Sequence, residues 1–277
     1  MTGGEPRTLA PPERRRTEVT ANERIGAYSL ISARDAHGPA EPGPGQFYML
    51  ASAGGWGGGE DERPYLPRAF SYARARAGPE GVELSFLLED VGPGTHRLAE
   101  LRPGDGLQLL GPLGLGFTPP ADGRRAVLCG GGIGAAPLLC WQAELSGDDT
   151  EVLLGFRSAA HAEGASLFAG APTVVTDDGS VGRQALVTEP LHATLEGDRD
   201  AAVYACGPPA MLEGVRALCA ELEVPAQLAM ESGMACGFGA CFGCVVATRE
   251  GFVRLCMDGP VLDAARLETA LTPGAGH

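Results

Sequence analysis

Cysteines come in two kinds along this 277-residue chain. Cys129, Cys140, Cys206 and Cys219 sit in apolar runs, where a thiol behaves as a small buried hydrophobe. Cys236, Cys241 and Cys244 crowd into "MACGFGACFGCVV" at 234–246, and Cys256 follows in "RLCMDGP" after eleven residues. The spacing Cys-x4-Cys-x2-Cys, with a fourth cysteine further on, is the plant-type pattern for a [2Fe–2S] cluster. Thiolates that converge on two irons need a short loop whose backbone N–H groups turn toward the sulfurs. A loop that tight needs residues without bulk, which Gly237, Gly239, Ala240 and Gly243 supply. Zinc also takes four cysteines, although zinc ribbons pair two short knuckles and here the fourth cysteine stands alone.

Other stretches carry chemistry by position. "RAFSYA" at 68–73 puts Arg68 and Ser71 on an extended strand, and a guanidinium can grip a pyrophosphate with two parallel hydrogen bonds. "VGPGTHRL" at 91–98 is a glycine turn running into Thr95 and a short helix, a place that favours phosphate. "GPLGLGF" at 111–117 is a second glycine turn that ends on an aromatic. Later, "LCGGGIGAAPL" at 128–138 sets Gly130, Gly131, Gly132 and Gly134 between a strand and a helix, without the usual G-x-G-x-x-G spacing. "YACGPPAML" at 204–212 repeats the plan, with Cys206, Gly207 and Pro208 at the strand's end. Backbone can approach a dinucleotide closely at such places; either stretch could equally be only a tight turn. Acidic "TDDGS" at 176–180 would repel a 2′-phosphate, which favours NAD over NADP.

The elements that must position these residues fall into regions. From about Thr17 to Pro120, short alternating runs such as "GVELSFLLEDV" are cut by Gly and Pro, which predicts an antiparallel barrel or sandwich. A glycine-rich acidic loop at 51–65 interrupts it. From Arg124, apolar strands alternate with helical periodicity, which predicts a doubly wound parallel sheet. The expected units are a disordered tail at 1–16, a barrel at 17–121, an α/β domain at 122–225 and a small cluster domain at 226–277. Arg14, Arg15 and Arg16 are expected to stay solvated in the tail. The N-terminus lacks the apolar stretch of a secretory signal, and no run approaches the roughly 18 apolar residues of a membrane span. A net charge of −14 speaks against nucleic acid as a partner. Clustered, unpaired thiols suit a reducing cytoplasm.

In their order, "RAFSYA", "VGPGTHRL" and "GPLGLGF" resemble the FAD-binding barrel of the ferredoxin–NADP reductase superfamily. The resemblance implies that Arg68 holds the flavin pyrophosphate, that Phe70, Ser71 and Tyr72 border the flavin, and that Gly94 and Thr95 cap the pyrophosphate. Ala69, in the same cofactor-binding run, stands where proline is common. Leu87, Leu88 and Glu89 would line the ribityl and adenosine side. It further implies that the Gly130–Gly134 turn contacts NAD, with Cys206, Gly207 and Pro208 near the nicotinamide. A barrel, an NAD domain and a cluster segment in that order, with "TDDGSVGRQALVTE" and "CMDGPV", resemble the electron-transfer subunits of NAD-linked type B dihydroorotate dehydrogenases over residues 20–265. The loop at 51–65 departs from that pattern in length and glycine content, and the gap before Cys256 is short.

That family's chemistry implies an FMN-containing catalytic subunit that oxidises dihydroorotate, joined with this chain in a heterotetramer of pyrimidine biosynthesis. Electrons would pass to the [2Fe–2S] cluster, to FAD and to NAD+. No catalytic residue for pyrimidine chemistry stands out here, and the five histidines are scattered. The alternatives are a related NAD(P)H:ferredoxin-type flavin/iron–sulfur oxidoreductase and, outside redox chemistry, a zinc-stabilised binding module.

Overall fold

The computed structural model describes residues 13–39, 41–57, 64–120, 123–145 and 150–272. Most of the expected tail, positions 58–63 of the glycine-rich loop and the expected 121/122 boundary lie outside the described residues.

The strands of the first sheet are β1 (Arg14–Ile25), β2 (Tyr28–Asp35), β3 (Phe47–Ser52), β4 (Arg68–Ser71), β5 (Arg74–Gly78), β6 (Gly81–Glu89) and β7 (Gly106–Leu113), with helix α1 (Pro93–Ala99) between the last two. Alternating burial in β1 and β7 and a wholly buried β3 build it. All neighbours pair antiparallel, in the order β4-β3-β7-β1-β2-β6-β5. The sheet curls until β4 comes back against β6. Inside, Tyr48 meets Tyr72 and Phe86 edge to face, at centroid distances of 6.3 and 5.6 Å.

One expectation fails here. Strand β1 runs through the arginine triplet, and alternation turns Arg15 inward with Thr17 and Val19. The Arg15 Nε and Nη2 donate to the Asp35 carboxylate at 3.0 and 2.8 Å, and Nη2 also donates to the Gly111 carbonyl. A buried charge with a bidentate partner is compatible with a strand, so the polar composition concealed one.

The second sheet holds β8 (Arg125–Gly131), β9 (Thr150–Phe156), β10 (Thr173–Thr176), β11 (Arg183–Gln184), β12 (Ala201–Cys206) and β13 (Ala226–Ala229). Helices α2 (Ala135–Glu144), α3 (Ala159–Ala162), α4 (Thr188–Gly197) and α5 (Pro209–Glu221) lie between them. The cysteine segment adds a hairpin, β14 (Val245–Thr248) with β15 (Gly251–Arg254), then α6 (Leu255–Asp258) and β16 (Val261–Asp263). Strand order is β11-β10-β9-β8-β12-β13-β16, parallel except for β16. The winding reverses beside β8, whose neighbours are β9 and β12. In such sheets that reversal leaves a crevice at the carboxyl ends of the strands.

The cysteine segment is less separate than the expected boundary at 226 implies. Strand β13 pairs with β12 and β16 pairs with β13, so both ends of the segment are stitched into the parallel sheet. Short strands with ordinary residues gave no signal of that pairing.

Candidate functional site

The four clustered cysteines form two pairs. Cys244 and Cys256 bring their sulfurs within 3.2 Å, and the Cys256 N–H donates to the Cys244 Sγ at 3.5 Å. Cys236 Sγ accepts from the Cys241 N–H, and Cys241 Sγ accepts from the Gly243 N–H, both at 3.4 Å. Cys256, brought against Cys244 from twelve residues on, completes the plant-type set of four that suits a [2Fe–2S] cluster. Burial, and then the neighbouring Cys244 sulfur, push the Cys256 thiol up to about 12. At Cys236, burial acts in the raising direction but is outweighed by hydrogen bonds from the Cys241 and Phe238 N–H groups, and the thiol falls to about 7. N–H groups turned toward sulfur stabilise thiolate, so the residues present fit a [2Fe–2S] group.

Close packing seats this loop on the barrel. Gly237 has φ +80°, and a Cβ there would come within 2.6 Å of Met49 Cγ in β3 and 3.0 Å of Leu113 Cδ1 in β7. Gly239, at φ +84°, lies as tightly against Met257. "GPLGLGF", expected as part of a flavin signature, turns out to clasp the segment: the Leu115 N–H donates to the Gly259 carbonyl, and a Cβ at Gly114 would strike the same carbonyl. Between loop and barrel lies a cavity of about 270 Å3, lined by Arg14, Met49, Pro67, Gln108, Cys236 and Phe238 among others. One cluster cysteine therefore shares a cavity with the residue that precedes Arg68.

Arg68 lies half-buried on the edge strand β4, opposite Leu50 of β3. Its Nη1 donates to the Leu66 carbonyl at 2.6 Å, and its stem runs along Gly94, where a Cβ would come within 2.6 Å of Nε. Ala69 is exposed, while Phe70 and Ser71 are half-buried beside it. Thr95 Oγ1 accepts from the Val91 and Gly92 N–H groups at 2.9 and 3.0 Å and caps α1. Three expected contacts are not available through side chains. Tyr72 is 2% exposed, with its hydroxyl donating to the Pro42 carbonyl, and Leu87 and Leu88 are fully buried. Strand β4 ends at Ser71, so the alternation that would have kept Tyr72 beside the flavin run stops there and the ring turns into the core.

At the sheet's switch point the two glycine turns meet. Gly130 and Cys206 are register partners across β8 and β12. Cβ atoms at Gly131 and Gly134 would collide with Met211 and with the Cys206 carbonyl, so those glycines serve the fit of one turn against the other. Gly132, at φ +54°, is half-exposed, and a Cβ there would meet only the Tyr28 hydroxyl, at 4.0 Å, with Gly207 buried and Pro208 exposed across the crevice. Burial above all, then the Glu231 carboxylate, raises the Cys206 thiol well above its ordinary value, so it stays neutral. The Ala159 N–H donates to Ser180 Oγ at 2.7 Å, which places the acidic "TDDGS" turn next to Arg157 at the end of β9.

Several contributors were invisible in the sequence. Arg254 donates to the Gly239 carbonyl at 2.9 Å and stands 5.2 Å from the centre of the Phe242 ring, bracing the cysteine loop. Glu89 accepts from His161 Nε2 at 3.1 Å and lies 3.7 Å from Arg157, joining the barrel to the parallel sheet. No sequence spacing could have linked residues that far apart.

A family model for the iron–sulfur cluster binding domain of dihydroorotate dehydrogenase B matches residues 231–268. The electron-transfer subunit of NAD(+)-linked dihydroorotate dehydrogenase B from Caldanaerobacter subterraneus is 33% identical over 250 residues, spanning 89% of this chain and 95% of that protein. Its namesake from Desulforamulus reducens is 36% identical over 227 residues, spanning 79% and 84%. Among solved structures, a chain of NADH-dependent reduced ferredoxin–NADP oxidoreductase superposes with a TM-score of 0.74 at 22% identity, covering 97% of this chain and 92% of that one. The ferredoxin reductase of carbazole 1,9a-dioxygenase gives 0.64 at 23%, covering 78% and 67%. At those identities the two structures speak for the fold alone.

Proposed function

The chain belongs to the family of dihydroorotate dehydrogenase B electron-transfer subunits, and from that premise we propose that it carries electrons to NAD+ from a partner subunit that oxidises dihydroorotate on FMN, within pyrimidine biosynthesis. When bound, a [2Fe–2S] cluster relays single electrons and FAD collects two of them for delivery as hydride. The protein's own part is to hold, orient and shield these groups.

Cys236, Cys241, Cys244 and Cys256 would hold the cluster, with N–H groups offsetting the thiolate charge. Arg68 grips the flavin pyrophosphate, with Gly94 leaving room for its stem and Ala69, Phe70 and Ser71 bordering the ring. The Gly132 turn and the Cys206–Gly207–Pro208 turn flank the nicotinamide dinucleotide through their backbone, with the Cys206 thiol buried and neutral behind them. The acidic turn beside Arg157 favours NAD over NADP. We assign the barrel to FAD, the parallel sheet to NAD and the insertion between β13 and β16 to the cluster. The observation that carries this reading is the cavity that Cys236 shares with Pro67, because it puts the cysteine loop one residue away from Arg68.

Phe238, Phe242 and Phe252 are 46%, 62% and 80% exposed around the cysteine loop. Aromatics left in water in one place support contact with the partner subunit there, where electrons enter by a short path. Among the described residues no helix is long and apolar enough to cross a membrane. Reduced thiols support a cytoplasmic setting. The test is co-expression with the FMN subunit: the complex should reduce NAD+ with dihydroorotate, and the isolated chain should not. Ferredoxin-dependent turnover by the isolated chain, without gain from the partner, would overturn the proposal.

A further inference from the structure

The glycine-rich loop after β3 takes no part in the reading above, yet it places a side chain against Arg68. Gly55 and Gly57 have φ of +68° and +84°, and nothing lies within 4 Å of where a Cβ would stand on either. Glycine serves backbone conformation there, not space. Hydrogen bonds pin the loop's described ends: Ala53 N–H to the Gly106 carbonyl at 2.8 Å, Ser52 Oγ to the Gly54 carbonyl at 2.7 Å, and Gly57 N–H to the Pro64 carbonyl at 2.8 Å. Between the two left-handed residues the chain turns Trp56 inward, onto the barrel core, with its ring centre 6.0 Å from Arg68 Cζ.

The guanidinium is thus held at three places: the indole, the Leu66 carbonyl on Nη1, and the bare backbone of Gly94. Among the described residues Nη2 makes no hydrogen bond, and no carboxylate there pairs with the charge. Among the described residues the buried Trp56 Nε1 has no acceptor. A residue kept only for packing would do better as Leu or Phe, which bury no unpaired donor. What indole adds is the ring face most favourable to a cation.

We propose that Trp56 is a positioning residue of the flavin site, its ring holding the Arg68 guanidinium in the orientation that receives the FAD pyrophosphate. The proposal rests on the assignment of Arg68 to that pyrophosphate. A fork fixed beforehand loses less rotamer freedom when the anion arrives, so the contact acts on affinity through Arg68 and not by touching the cofactor.

The test is a double-mutant cycle on the full chain, stripped of flavin and titrated with FAD by the cofactor's own fluorescence. Trp56→Leu should weaken binding about five- to tenfold, the range for a partly desolvated cation–π contact. Trp56→Phe should fall between the parent and Trp56→Leu, because a benzene face holds a cation less well than indole. In an Arg68→Ala background, Trp56→Leu should have no further effect. Melting temperature and iron content should not move in any single variant. If Trp56→Leu fails to fold, Trp56→Met fills the same space without the ring and completes the cycle. Equal losses with and without Arg68, or no loss in the parent, overturn the positioning role. An Arg68→Ala chain that binds FAD unchanged removes the underlying site assignment instead.

Discussion

Gly237→Ala should dislodge the cysteine loop from the barrel while leaving the flavin site intact. Two costs add at this position. An alanine at φ +80° pays the left-handed penalty of about 1 kcal/mol. Its Cβ would also stand 2.6 Å from Met49 Cγ and 3.1 Å from Met49 Sδ, in a spot where Met49 and Leu113 are almost wholly buried. Overpacking of that kind costs a further ~1–3 kcal/mol. The total, about 2–4 kcal/mol, falls on a loop whose own hydrogen bonds are few, so the loop yields before the barrel does. Two glycines separate the contributions. Gly170→Ala, at φ +75° with open space around it, carries the conformational cost alone; Gly233→Ala, with open space and no left-handed φ, carries neither. Iron and sulfide per chain, FAD per chain and melting temperature should be measured after identical anaerobic reconstitution. Gly237→Ala should lose most of its iron and keep its FAD. Gly170→Ala should melt earlier with full iron, and Gly233→Ala should match the parent. If Gly237→Ala retained iron and melting temperature as Gly233→Ala does, the loop would not be seated as described.

Cys241→Ser should lose or damage the cluster while much FAD stays bound, read by visible absorbance and iron analysis; loss of both cofactors from a folded chain would contradict separate binding regions. Arg68→Ala should weaken FAD binding about tenfold or more, the loss of a charge-assisted bidentate contact, in a fluorescence titration. Glu213 is held down to about 2, first by the Arg216 guanidinium and then by the Ala270 N–H and Thr269 hydroxyl, which tether the C-terminal segment to α5. Because the folded value lies below the unfolded one, that contribution is complete above about pH 4.5 and fades toward pH 2. After allowance for solvent screening it is worth about 1 kcal/mol, so Glu213→Gln should melt earlier than the parent at pH 6 and no differently at pH 2.

What the sequence disclosed was local. Cysteine spacing and the small residues between the cysteines state their chemistry within a few positions, and strand–turn–helix order announces a parallel sheet with its crevice. What it withheld depends on distant neighbours. "GPLGLGF" looks like any glycine turn until Gly259 is packed against it. Arg15 looks like a solvated charge until Asp35 is placed beside it, twenty residues away. Tyr72 followed the flavin run in sequence but left it in space when β4 ended at Ser71. His161 had no neighbouring partner motif, and its partner Glu89 lies on the other sheet.

The most direct measurement is an anaerobic titration of the reconstituted chain with NADH, followed by flavin absorbance and by electron paramagnetic resonance. The account predicts that flavin colour bleaches and that the spectrum of a reduced two-iron centre grows in, with two irons and one FAD per chain. A colourless chain that binds zinc stoichiometrically and stays silent by resonance would contradict it.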